Sequence, residues 1–232
     1  RRDEYRIESI PVAGYGKAKG EYVVGCHTFG RDEGIEGYFL ITAHIILNHG
    51  YVIPLTTRYL ALQGSVPVSP LLRHILRALV DYLRNELPAL DWNDRMATYE
   101  NRDQLYLAIL KQPQACYELI ETAIMEWLNL HEASPELLSQ VSKTLQLDQA
   151  FCPRYGEKIR CNRQFDFNVD GVIEALDAMD LPAPANFSRY SQHKSIEVPG
   201  GAGVFLKGPD GGSWMRGRLV EEVETEQRIA VQ

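Results

Sequence analysis

The most apolar stretch of the chain runs from Glu21 to Leu62, and its pattern predicts three successive elements. Glu21 to Thr28 alternates loosely and is rich in Val and Tyr, which suits a strand. A helix follows from Asp32, whose carboxylate can accept from the free amides of a first turn. Ile35, Tyr38, Phe39, Ile45 and Ile46 recur at helical spacing, while Leu40, Ile41, Ala43 and Leu47 fill much of the other side. Such a helix is wet on only a narrow strip and needs neighbours on several sides. Gly50 is the expected left-handed residue at its end, and Tyr51 to Leu62 predicts a second, shorter helix closed by Gly64.

Further along, Ser69-Pro70 gives a start signal for a helix to about Leu87, with Leu72, Ile75, Leu76, Leu79 and Leu83 on one face. Arg73, Arg77, Arg84 and Asp81 share the opposite face. That face reads either as solvated, with an Arg77–Asp81 pair, or as an anion-binding or docking patch. Pro88 to Tyr99 reads as a loop around Trp92. Helical spacing returns at Leu105, Ile109 and Leu110 and again from Cys116 to Leu130. Pro113 divides these sets into two helices or kinks one, because it lacks an amide and its ring collides with the preceding turn. Ser134-Pro135 starts a short amphipathic helix through Leu145. Asp148 to Gln164 reads as a long connection, and Asn168 as the cap of a last helix ended by Leu181-Pro182.

The expected fold is mainly α, a helical domain with a short N-terminal strand and a small β or irregular C-terminal tail. Residues 1–20 read as a polar connector, because Gly14, Gly16 and Gly20 argue against a continuous element before Glu21. Residues 21–181 form the helical domain, and residues 182–232 a Gly-rich, partly flexible tail. Ser195 to Arg218 holds seven Gly and two Pro, with a hairpin expected to turn at Pro209-Asp210-Gly211-Gly212. The expected core comprises Phe39, Ile41, Ile45, Ile46, Leu76, Leu79, Leu119, Ile120 and Trp127.

Composition narrows the partners. The 45% hydrophobic content of the 232 residues is that of a folding chain. Lys and Arg total 24 against 31 Asp and Glu, for a net charge of −7, the wrong sign for gripping a phosphate backbone, so nucleic acid is discounted. Four scattered cysteines argue for a reducing cytoplasm rather than a disulfide-stapled fold. The longest apolar run, Tyr38 to Leu47, is interrupted by Thr42 and His44 and is too short to span a membrane. The chain begins Arg-Arg-Asp without Met, which reads as a piece of a longer protein.

Three segments together resemble a known family: RDEYRIESIPVA, then EYVVGCHTFGRDEGIEGYFLITAHIILNHGYVIPLTTRYLAL, then PVSPLLRHILRAL. Tyr5, Arg6, Ile7 and Glu8, then Glu21, Val23, Val24 and Gly25, then the acidic start Asp32 and Glu33, are similar to the region after the catalytic barrel in cobalamin-binding radical S-adenosylmethionine enzymes. The resemblance covers roughly residues 1–130 and, faintly, Phe165-Asp166-Phe167. It implies a C-terminal accessory domain that covers the barrel and helps shape the substrate pocket. Its partners are then the barrel and cobalamin-binding domain upstream in the same chain, plus a small-molecule substrate. The whole protein is expected to use a 4Fe-4S cluster, S-adenosylmethionine and cobalamin for methyl transfer or a radical rearrangement or cyclisation. The competing reading is a non-catalytic helical protein-interaction module.

No residue of this chain is assigned a catalytic, cofactor or metal role. A cluster of this kind needs three thiolates in one loop, whereas Cys26, Cys116, Cys152 and Cys161 lie far apart, so no cofactor is expected to be bound by this piece alone. His44 and His49 are five apart, roughly 500° of α-helical rotation, which sets their rings roughly 140° apart. Cys26-His27 with His44 or His49 is a weak zinc candidate. Cys152 or Ser213 with His193 lacks the spacing of a nucleophilic site. Gly200, Gly201, Gly203 and Gly208 do not form a strand-to-helix phosphate loop. Tyr38, Tyr51, Tyr59, Tyr82 and Tyr106 read as core aromatics, a minority of which would line a substrate cavity.

Overall fold

The computed structural model describes residues 4–11, 19–87, 95–156, 158–200 and 218–220. Among them the chain is mainly helical, with eight α-helices, an N-terminal strand pair and a small three-stranded sheet. The strands β1 (Tyr5–Pro11) and β2 (Lys19–Cys26) form an antiparallel ladder, with Ile7 opposite Val23 and Ser9 opposite Glu21. The expected connector therefore contains a strand. Its glycines all follow Pro11, so Tyr5 to Pro11 remained free to pair with the Val-rich segment opposite.

Helix α1 (Arg31–Ala43) starts with Gly30 at its N-cap, where the Gly30 amide donates to Glu33 Oε2 at 2.8 Å. The carboxylate that serves the helix start is thus Glu33 rather than Asp32. At Gly34 an added Cβ would lie 2.3 Å from the Val24 carbonyl oxygen, so α1 rests directly on the β2 backbone. The end of this helix, His44–His49, is wound as a π-helix, and the chain then bends by 110° into α2 (Pro54–Gln63).

Gly50 is not left-handed here. Its φ is −75°, and the neighbouring Tyr51 takes the positive φ of 56°. What Gly50 supplies is room: a Cβ there would sit 2.4 Å from the Ile46 oxygen and 2.7 Å from Tyr106 Cε2. The Tyr106 hydroxyl donates to the Gly50 oxygen at 2.7 Å, and the Tyr117 hydroxyl to the Val52 oxygen. Gly64 does close α2 in the left-handed conformation, with φ 66°. The α2 start is capped from far away. The Asp148 carboxylate accepts from the Leu55 amide at 2.9 Å and the Thr56 amide at 2.8 Å, with Asp148 only 1% exposed.

Helix α3 (Val68–Leu83) buries Leu72, Ile75, Leu76, Leu79 and Leu83, as its spacing predicts. Short α4 (Arg95–Glu100) replaces part of the expected loop, because Met96 and Thr98 find buried positions; Trp92 lies outside the described residues. Pro113 divides α5 (Arg102–Lys111) from α6 (Pro113–Leu130), standing at the first position of the second helix where its missing amide costs nothing. Helix α7 (Pro135–Phe151) is capped by Ser134, whose hydroxyl accepts from the Leu137 amide at 3.2 Å. It runs longer than its apolar spacing suggests, since Leu147, Ala150 and Phe151 are also buried.

The expected connection up to Gln164 contains β3 (Ile159–Phe165). It pairs along its full length with β4 (Gln192–Val198), which in turn takes β5 (Arg218–Val220). Between β3 and β4, Asn168 caps α8 (Val169–Asp177), its side chain accepting from the Gly171 amide at 3.2 Å. Ile196 and Val198 are fully buried and β4 packs on α7, so the boundary expected at residue 182 does not divide the packing. The hairpin expected at Pro209 to Gly212 and the charged end from Glu221 lie outside the described residues.

One apolar cluster joins all these helices except α4, with α2 against α7, α3 against α6, and α1 against α3 and α4. Phe39, Ile46, Leu76, Leu79 and Ile120 are buried as expected. Ile45, Leu119 and Trp127 are only half-buried, and Ile41 is 47% exposed. No single helix among the described residues is long and apolar enough to cross a membrane. The bent pair Arg31–His49 and Pro54–Gln63 passes that test only jointly, and contributes Ala43, Ile46, Leu47, Leu55, Tyr59 and Leu60 to the core.

Candidate functional site

The β1–β2 pair, α1, α3 and α4 converge on a cluster of rings and ion pairs that is the best candidate site. Residues four apart on α4 build half of it, since Arg95 and Tyr99 share the face turned to α1. Tyr99 meets Tyr38 and Tyr22, with ring centroids 5.0 and 5.8 Å away, and Tyr22 meets Tyr38 edge-on at 5.7 Å. Arg102 lies over Tyr99 at 4.7 Å. Burial, then a hydrogen bond to the Glu100 carboxylate, pushes the Tyr22 phenol up to about 12. Its proton is therefore held.

Also on α1, Glu36 faces three guanidinium groups. Arg95 is in direct contact with it, while Arg77 Nη2 and Arg73 Nη1 lie 3.5 and 3.6 Å from Oε2. Phe39, 3% exposed, lies beneath two of them, with Arg95 and Arg77 at 5.7 and 6.0 Å from its ring centre. The Arg77–Asp81 pair suggested by helical spacing is replaced. Asp81 takes Arg84 at 2.9 Å, and Arg77 turns to Glu36 because α1 brings a carboxylate to that face of α3. The cluster's other anchor is Glu8 on β1, which holds Arg31 at both oxygens, 2.6 and 3.0 Å. The Arg31 hydrogen bond keeps the Glu8 carboxyl below its ordinary range.

The histidines behave differently from their α-helical expectation. A π turn closes over five residues rather than four, so His44 and His49 are drawn toward one face instead of apart. Burial first, then the nearby His49, lowers the His44 pKa from 6.5. Even so, among the described residues no three His, Cys, Asp or Glu side chains converge as a metal site.

All four cysteines are free; Cys116 and Cys152 are fully buried, and burial pushes their thiols up to about 11 and about 12. Cys26 is the opposite case, its thiol lowered by Thr28, whose hydroxyl lies 3.0 Å from Sγ. His193 stands opposite Gln164 in the sheet, while Ser213 lies outside the described residues. So do Gly201, Gly203 and Gly208; Gly200 bridges to Arg154.

Of the tyrosines singled out, Tyr59 and Tyr106 are core residues, Tyr82 is 44% exposed and Tyr51 forms the left-handed turn. Only Tyr38 joins the candidate site. Tyr22, Tyr99, Glu36 and Arg95 escape a sequence reading, although the four-residue spacing of Arg95 and Tyr99 is a local signal for one face. A second concavity, a cleft of about 450 Å³ at the ends of α2, α6 and α7, is lined by Gln63, His131, Glu136 and Gln140. A hydrogen-bond chain runs behind it from Gln63 through the Tyr59 hydroxyl and Gln140 to Glu136.

No family model, curated protein or solved structure matches this chain.

Proposed function

We propose that this chain is the C-terminal accessory region of a cobalamin-dependent radical S-adenosylmethionine enzyme, covering its barrel and helping to shape the substrate pocket. In this reading the whole protein performs methyl transfer or a radical rearrangement or cyclisation, and the cluster, S-adenosylmethionine and cobalamin are held upstream. The observation that carries it is the behaviour of the residues that resemble the family. Glu8, Val24 and the acidic helix start are separate in sequence but belong to one packed unit. Glu8 chelates the Arg31 guanidinium at the head of α1, and fully buried Val24 receives Gly34 of α1 on its backbone. Such a unit transmits a fixed orientation from the strand pair to the helices. Tyr5 and Val23 on the strand pair remain 46% and 38% exposed, apolar surface suited to packing on another domain.

The test has two arms. The reading frame upstream should encode a Cys-x-x-x-Cys-x-x-Cys loop, and the protein containing both parts should lose turnover when Gly34→Ala lifts α1 from β2. Residues 1–232, treated with iron and sulfide, should yield no deoxyadenosine from S-adenosylmethionine. Stoichiometric four-iron binding with deoxyadenosine formation by this chain would overturn the assignment, and an upstream frame without the cysteine loop would leave the interaction-module reading in its place.

A further inference from the structure

We infer that the three arginines gathered on Glu36 form an anion site that takes the phosphoryl group of a small phosphate or diphosphate ligand. Three elements converge there: α1 supplies Glu36 and Phe39, α3 supplies Arg73 and Arg77, and α4 supplies Arg95. One carboxylate against three guanidinium groups leaves a local surplus of positive charge in a chain whose net charge is −7. Among the described residues, the neighbouring carboxylates do not cancel it by pairing. Asp81 is bound by Arg84, Glu33 is turned back to the Gly30 amide, and Asp32 points into solvent a turn away on α1.

The donors are also far from saturated. Each guanidinium carries five N–H groups in a fixed planar fork, and a carboxylate has about four acceptor sites. Arg73 and Arg77 approach Glu36 only at 3.6 and 3.5 Å, held by charge more than by hydrogen bonds. Their side chains stay 34% and 51% exposed and that of Arg95 41%, so the unused forks face outward. The buried Phe39 ring fixes two of the planes from below through cation–π contact. A tetrahedral dianion is the group that several forks can hold bidentately at once, while a single carboxylate satisfies one. Glu36 is then a built-in competitor that keeps the arginines together when the site is empty.

The inference does not depend on the enzyme reading, and it is tested on residues 1–232 at fixed ionic strength. Inorganic phosphate and pyrophosphate are titrated by calorimetry and by NMR of the arginine Nε–H groups, with anionic phospholipid vesicles as a separate arm. Pyrophosphate is expected to bind more tightly than phosphate, with affinity falling as salt rises. Arg77→Gln should weaken it about tenfold, the loss of one charge-assisted pair, and Arg73→Gln similarly. Glu36→Gln should tighten it, an outcome that loss of fold cannot mimic. Pyrophosphate leaving the arginine resonances unmoved, Glu36→Gln failing to tighten binding, or vesicles binding while free pyrophosphate does not, would each overturn it.

Discussion

Asp148 is the residue whose removal should hurt this fold most for its size. It sits in the last turn of α7, where a carboxylate opposes the dipole of its own helix, yet it is 1% exposed. Its oxygens are committed to the Leu55 and Thr56 amides, the first free donors of α2 after Pro54, and the α2 N-cap residue Ile53 has no side-chain acceptor to offer. Asp148→Ala strips both amides of their partner in a buried setting. Each hydrogen bond to a charged group is worth about 1.5–3 kcal/mol, partly offset by no longer burying a carboxylate, so the net cost should be about 3–5 kcal/mol. For a domain of this size that is a fall in Tm of about 6–20 °C. Asp148→Asn keeps the shape but presents an NH2 group to one amide, and should cost about 2–3 kcal/mol. Urea unfolding followed by far-UV circular dichroism and by tryptophan fluorescence measures both, with coincident transitions as the check on two-state behaviour. If Asp148→Ala came within about 1 kcal/mol of the parent, α2 would not depend on this cap and the argument would fail.

At the bend between α1 and α2, Gly50→Ala should cost about 1–3 kcal/mol by overpacking against the Ile46 oxygen and Tyr106, whereas Tyr51→Gly should gain up to about 1 kcal/mol by relieving the left-handed backbone. Opposite signs in one denaturation series distinguish this from Gly50 supplying the turn. The lowered His44 pKa means that the unfolded chain takes up a proton before the folded one does, so stability is full above 6.5 and falls as pH drops through the lower folded value. His44→Gln should flatten the stability loss between pH 8 and 5, and an unchanged profile would remove His44 as its source. Thiol labelling of the native protein should modify Cys26 readily and reach Cys116 and Cys152 only with denaturant; labelling of either buried thiol at the native rate would contradict the packing around Tyr117.

What the sequence determined by itself is the set of features encoded within a few residues. Ser134-Pro135 opens α7, Asn168 caps α8, Pro113 separates α5 from α6, and Gly64 ends α2, each because one residue's own hydrogen bonding or backbone freedom decides the outcome. The leucine stripe of α3 was legible for the same reason, its period being that of the helix. Tertiary structure decided whatever depends on a distant partner. Tyr5–Pro11 and Ile159–Phe165 are strands only because β2 and β4 pair with them. Tyr106 arriving from α5 adds to the Ile46 oxygen one turn back in crowding Gly50, and α2 begins where it does because Asp148 reaches it from α7. The candidate site is of this second kind: Arg77 had a suitable carboxylate one turn away in sequence at Asp81, and only the packing of α1 on α3 set Glu36 before it instead.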